Sequence, residues 1–131
     1  MGKYYGYSHK STEMNDWIRT TLKAPEYGMV VTDFDFIFFE YNLKRLRLLE
    51  VKTFNAKVKK WQLEIFRIID FALKNMNKLD EIGDFKYDGL YILTLDTSSP
   101  KTAGKMNING IEISYNNLIK FLNFEKEFAD L

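Results

Sequence analysis

The chain has 131 residues, 46% hydrophobic and 16% aromatic, enough for one sizeable core, so a single domain over residues 1–131 is expected. It holds no cysteine and one histidine, His9, which excludes disulfides, cysteine-ligated zinc, iron–sulfur clusters, thiol catalysis and three-histidine metal sites. The net charge is +1, no apolar run reaches bilayer length and the start is polar, so a cytoplasmic protein without membrane attachment is expected, working through carboxylates, amines, hydroxyls or an oxygen-liganded metal.

Along the chain, Met14, Trp17, Ile18, Thr21 and Leu22 recur at helical spacing, with Ser11 as a candidate N-cap and Pro25 beyond the stop, which predicts a helix over Thr12 to Leu22. Met29 to Thr32 leads into an aromatic, β-branched run from Asp33 to Tyr41 that reads as a strand. Asn42, Leu43 and Lys44 supply a turn, and Leu46 to Thr53 returns as the second strand of a hairpin. From Ala56 to Met76 the period becomes helical: Val58, Trp61, Ile65, Ile68, Ile69, Ala72 and Met76 share one face, with Lys59, Arg67, Asp70 and Lys74 opposite. Gly83 and Asp84 mark a break before the nearly all-apolar run Gly89 to Leu95, the pattern of a buried central strand. Asn109-Gly110 signals a second hairpin, and Ser114 caps a last helix carrying Leu118, Ile119 and Leu122. This order predicts an α/β (α+β) domain, a mixed central sheet flanked by helices.

The chemistry concentrates in the first hairpin. Alternation puts Glu50 and Lys52 on one face of their strand, and an even-length turn sets Asp35 opposite Glu50 or Lys52 on the same face. Two neighbouring carboxylates repel unless a proton or cation lies between them, and a purely oxygen ligand set suits Mg²⁺ or Mn²⁺. Asp33 shares the parity of Asp35 and competes for the metal; Asp35 is preferred because it lies deeper in the apolar run and pairs better with Glu50. From Lys44 to Lys60 seven basic residues face one acid, Glu50, while the compensating acids lie elsewhere, as a local phosphate-facing surface requires. Lys57, Lys59 and Lys60 are the candidate nucleic-acid contacts, Lys57 foremost near the helix start. Gln62 falls inside the apolar face of its helix, either as an active-site partner or as a core glutamine bonded to backbone. Tyr4, Tyr5, Tyr7 and His9 form an aromatic arm able to stack on bases, or an ordinary terminus.

Asp35 in "TDFDFIFF", with Glu50 and Lys52 in "LLEVKT", resembles the motif of the PD-(D/E)XK nuclease superfamily, and the flanking helix, hairpin, helix, strand order fits as well. Phe34 replaces the proline of the name. The resemblance implies a restriction-endonuclease-like fold and metal-dependent hydrolysis of DNA phosphodiester bonds, with Asp35 and Glu50 as metal ligands and Lys52 in catalysis. It also implies a glutamine at the position of Gln62, and Glu13 as an accessory acid beside its more ordinary reading as a first-turn residue. A second copy or a partner protein is expected for engaging a duplex. The alternatives are a catalytically inactive module of the same fold that binds nucleic acid or protein, and an unrelated small regulatory protein.

Overall fold

The structure is a computed structural model that describes residues 9–22, 34–78 and 83–131. Helix α1 (His9–Thr21) belongs to one compact unit, and the chain from Phe34 onward to another. α1 begins ahead of Ser11, which therefore lies in the first turn and not at the expected cap. No described helix is long and apolar enough to cross a membrane.

From Phe34 onward come β1 (Phe36–Glu40), β2 (Arg45–Lys52), α2 (Lys60–Met76), β3 (Lys86–Leu95), β4 (Met106–Ile108), β5 (Ile111–Glu112), α3 (Tyr115–Leu122) and a 3₁₀ turn at Phe128–Asp130. Among the described residues the strands form one mixed sheet in chain order, β1-β2-β3-β4-β5. β2 and β3 run parallel because α2 carries the chain back between them; the other neighbours are antiparallel. The expected mixed α/β class is therefore observed. Asn109 and Gly110 both take positive φ, 50° and 84°, the backbone that closes a tight hairpin between β4 and β5. The Ser114 side chain accepts from Asn117 N–H, capping α3 as its sequence predicts.

β2 is buried on both faces, and its alternation decides what each face receives. Arg47, Leu49 and Val51 turn toward α3, where Leu49 joins Leu93, Leu95, Ile108, Leu118 and Phe121 in the main core. Leu48, Glu50 and Lys52 turn toward α2. The Arg47 guanidinium, only 2% exposed, lies within 4.3 Å of the rings of Phe121 and Phe124. It donates to Asp88 at 3.1 Å and to the Phe121 carbonyl, so the buried charge is partnered.

A bulge in β3 supplies that aspartate. Leu46 pairs with Tyr87 and Arg47 with Gly89, which leaves Asp88 as the extra residue, facing the two arginines, and turns Tyr87 toward α2. Gly89 has φ 142°, and a Cβ there would meet the Tyr91 hydroxyl at 3.2 Å.

α2 starts at Lys60, later than the expected Ala56, and packs with a different stripe from the one its apolar spacing predicts. Gln62 and Phe66 are buried, whereas Ile68 is 69% exposed and Ala72 and Met76 are also exposed. Asp70, expected on the solvent side, faces the sheet: the Tyr87 hydroxyl donates to it at 2.7 Å and the Leu90 N–H at 3.2 Å, with Lys74 at 2.9 Å. Asn77 then brackets Tyr87, accepting from its N–H and donating to its carbonyl. These polar bonds to an irregular strand rotate the helix away from its most apolar face.

Burial pushes the Asp70 carboxyl up, but the hydrogen bonds from Lys74 and Tyr87 outweigh it and hold the group below its usual range. A depressed carboxyl stabilises the fold above its unfolded-state pKa, and that stability is lost as pH falls through the folded value. Urea unfolding of the wild type is expected to show stability declining below about pH 4, with Asp70→Asn showing a shallower decline and a loss of about 1–3 kcal/mol at neutral pH. Arg47→Ala, which removes one of the two arginine partners of Asp88 and opens the core, is expected to cost about 3–5 kcal/mol in the same assay.

Candidate functional site

The site forms where the C-terminal end of β2 meets the entry to β1 and the first turns of α2. The hairpin ladder runs from Glu40 opposite Arg45 to Phe36 opposite Leu49 around the turn 41–44. The even-turn count would set Asp35 opposite Glu50 one residue further on, but the ladder ends at Phe36 and Leu49.

Asp35 itself lies in a bend just outside β1. Phe34 stacks on Phe66 of α2, with ring centroids 5.1 Å apart, whereas Phe36 packs against the core under α3. In a regular strand residues 34 and 36 would share a face; the bend sends them to opposite faces. Between these anchors the Asp35 side chain turns to β2, where its Oδ2 accepts from the Val51 N–H at 2.8 Å. The carboxylate thus reaches the backbone of the residue that separates Glu50 from Lys52.

Glu50 is buried at 4% exposure, with Oε1 3.9 Å from Lys52 Nζ. Lys52, largely buried too, donates from Nζ to Gln62 Oε1 at 3.0 Å. Gln62 is 8% exposed and lies in the first turn of α2, so the amide that its sequence position leaves open has the lysine as partner. One N–H of the ammonium is used by Gln62, and two remain for other acceptors.

Among the described residues no group of three or more histidine, aspartate or glutamate side chains gathers to hold a metal. Asp35 reaches the Val51 N–H, and Glu50 lies beside Lys52; Asp33 and the Tyr4, Tyr5 and Tyr7 arm lie outside the described residues. His9 and Glu13 belong to α1, in the other unit. Lys57, Lys59 and Lys60 are exposed ahead of and at the start of α2, and Lys59 Nζ lies 6.0 Å above the Trp61 ring. Because α2 starts at Lys60, Lys59 and Lys60 stand closer to its end than Lys57, the residue preferred on sequence. The N-cap Lys59 makes no side-chain cap bond and the first turn holds no acid. No carboxylate side chain in the first turn therefore neutralises this end of the helix.

A concavity of about 720 Å³ lies at the opposite end of β2, lined by Arg45, Asp84, Lys86, Asp88 and Glu127 among others. Three of its charges are committed to each other: Arg45 binds Asp88 at 2.6 Å and Glu127 at 2.7 Å, and these contacts raise the arginine above its already high range despite burial. The β2–α2 end differs in presenting Lys52 and Glu50 on β2, with the Asp35 carboxylate bonded to the backbone between them. Phe34 and Phe66, which set the Asp35 bend, carry no sequence signal of that role beyond being aromatic. Comparison of the chain with protein-family models, with curated proteins and with solved structures finds no match in any of the three.

Proposed function

We propose that the protein is a divalent-cation-dependent nuclease that hydrolyses DNA phosphodiester bonds, built on a restriction-endonuclease-like arrangement of the PD-(D/E)XK kind. The observation that carries this reading is the bond from Val51 N–H to Asp35, which joins an aspartate of one strand to the Glu50-Val51-Lys52 stretch of its neighbour.

The donor set fits a hard cation. Asp35 and Glu50 offer only oxygen, and a site with two carboxylates suits Mg²⁺ or Mn²⁺, which keep several waters of their own. When bound, the ion supplies charge neutralisation at the phosphate and a bound water of lowered pKa. The protein's share is positioning. Asp35 is held by a backbone amide and by the aromatic anchors on either side of it. Glu50 is fixed by burial, and its Oε1 lies 3.9 Å from Lys52 Nζ. The spare N–H groups of Lys52 orient a water or contact a non-bridging phosphate oxygen. Gln62 acts through Lys52, limiting the rotamers of a long side chain. Lys57, Lys59 and Lys60 grip the phosphate backbone without reading sequence.

The test is cleavage of linear, circular and branched DNA in Mg²⁺, in Mn²⁺ and in EDTA. EDTA is expected to abolish cutting, and Glu50→Gln and Lys52→Ala to lower the rate by at least about 100-fold with circular dichroism unchanged. Cutting by both variants at the wild-type rate would remove the catalytic assignment. Tight binding of DNA by the wild type with no cutting in either metal would instead favour a binding module on the same scaffold.

A further inference from the structure

The loop that joins β2 to α2 carries a side chain not used in the scheme above. Phe54 follows Lys52 by two residues and is 70% exposed. Its backbone is left-handed, φ 52°, and Asn55 repeats this at φ 56°. Asparagine tolerates that region; a bulky aromatic residue rarely enters it, and glycine would relieve it. The conformation is imposed from outside: Phe54 N–H donates to Thr97 O at 3.3 Å, Asn55 N–H to Leu95 O at 2.8 Å, and Ala56 N–H to Thr53 O at 3.1 Å. The loop backbone is therefore tied to the end of β3, and the ring is held out toward solvent from a fixed base.

An exposed phenylalanine in a strained position contributes little to the core, so its ring points to a partner outside the fold. The chemistry around it narrows the partner. Lys57, Lys59 and Lys60 are exposed just beyond it, Lys59 over the half-exposed Trp61. Aromatic rings interleaved with lysines are the surface that single-stranded nucleic acid takes, the rings meeting base faces and the ammonium groups the backbone. In an intact duplex the base faces are covered by their neighbours, and a ring on a protein surface reaches them only at an end, a gap or an unpaired stretch.

We infer that Phe54 stacks on an unpaired base beside the scissile phosphate, so that the substrate of this nuclease is DNA that is single-stranded or opened at the cut. This rests on the nuclease reading and adds the substrate class to it. The residue acts in substrate specificity, and its ring is separable from the acids and the lysine that act on the phosphate.

The experiment uses the full chain and an oligonucleotide carrying 2-aminopurine, offered single-stranded and as a blunt duplex, with Ca²⁺ for binding and Mg²⁺ for cutting. Phe54→Ala is expected to weaken single-strand binding by about 5- to 150-fold, to remove the 2-aminopurine quench and to leave duplex binding unchanged. Phe54→Trp is expected to restore both, and the melting curve of Phe54→Ala to match wild type because the ring is exposed. Its salt dependence of binding stays that of wild type, whereas the triple change Lys57→Ala, Lys59→Ala and Lys60→Ala flattens it. A wild type that cuts DNA while Phe54→Ala binds and cuts single strands equally well overturns this inference and spares the nuclease. Equal weakening on single strand and duplex also overturns it. A wild type that neither binds nor cuts any of these DNAs overturns both.

Discussion

Burial of β2 on both faces is the constraint from which the rest of the structure follows. A strand covered by helices on each side has no solvent-facing residues for its charges, yet Arg47 and Glu50 both lie in its buried middle. An unpartnered charge in that position would cost several kcal/mol, so each face has to be built around the charge it receives. Because the two residues have opposite parity, they draw different environments. Under α3, Arg47 gathers Asp88, the Phe121 carbonyl and two aromatic faces. Under α2, Glu50 stands beside Lys52, and Lys52 beside Gln62.

The two ends of the strand resolve the same problem differently. At the Arg45 end, the bulge at Asp88 and the Glu127 side chain close a network of two arginines and two acids, so little charge is left over. A closed network of this kind ties the chain after α3 to the sheet and gives specificity of packing more than net stability. At the Lys52 end the groups are held but not consumed: Asp35 spends one oxygen on the Val51 amide, and Lys52 one donor on Gln62.

How far the sequence discloses this depends on whether a feature is local. Strand alternation assigns Glu50 and Lys52 to one face, and the even turn gives the register of the β1–β2 ladder, since both follow from residue counting within one hairpin. The caps and turns at Asn109-Gly110 and Ser114 are equally local. The stripe that α2 presents to the sheet is not. Counting apolar residues favours Ile68 and Met76, but the packing face is set by Asp70 answering Tyr87, and Tyr87 faces α2 only because β3 bulges at Asp88. The bend at Asp35 is of the same type, requiring Phe34 to find Phe66 across the fold. The left-handed turn at Phe54 depends on carbonyls of Leu95 and Thr97 that no reading of residues 53–59 contains.

The start of α2 joins these strands of reasoning. Helix amino ends carry a partial positive charge and favour acids, yet this one is approached by Lys57, Lys59 and Lys60 with no acid in its first turn. Each such lysine costs a few tenths of a kcal/mol in the isolated protein, and salt screens part of that. The same turn carries Gln62, so whatever binds at the helix end bears on the residue that holds Lys52. Under the nuclease reading, a backbone phosphate gripped by the lysines and the lysine facing the scissile bond would be coupled through that single turn of helix.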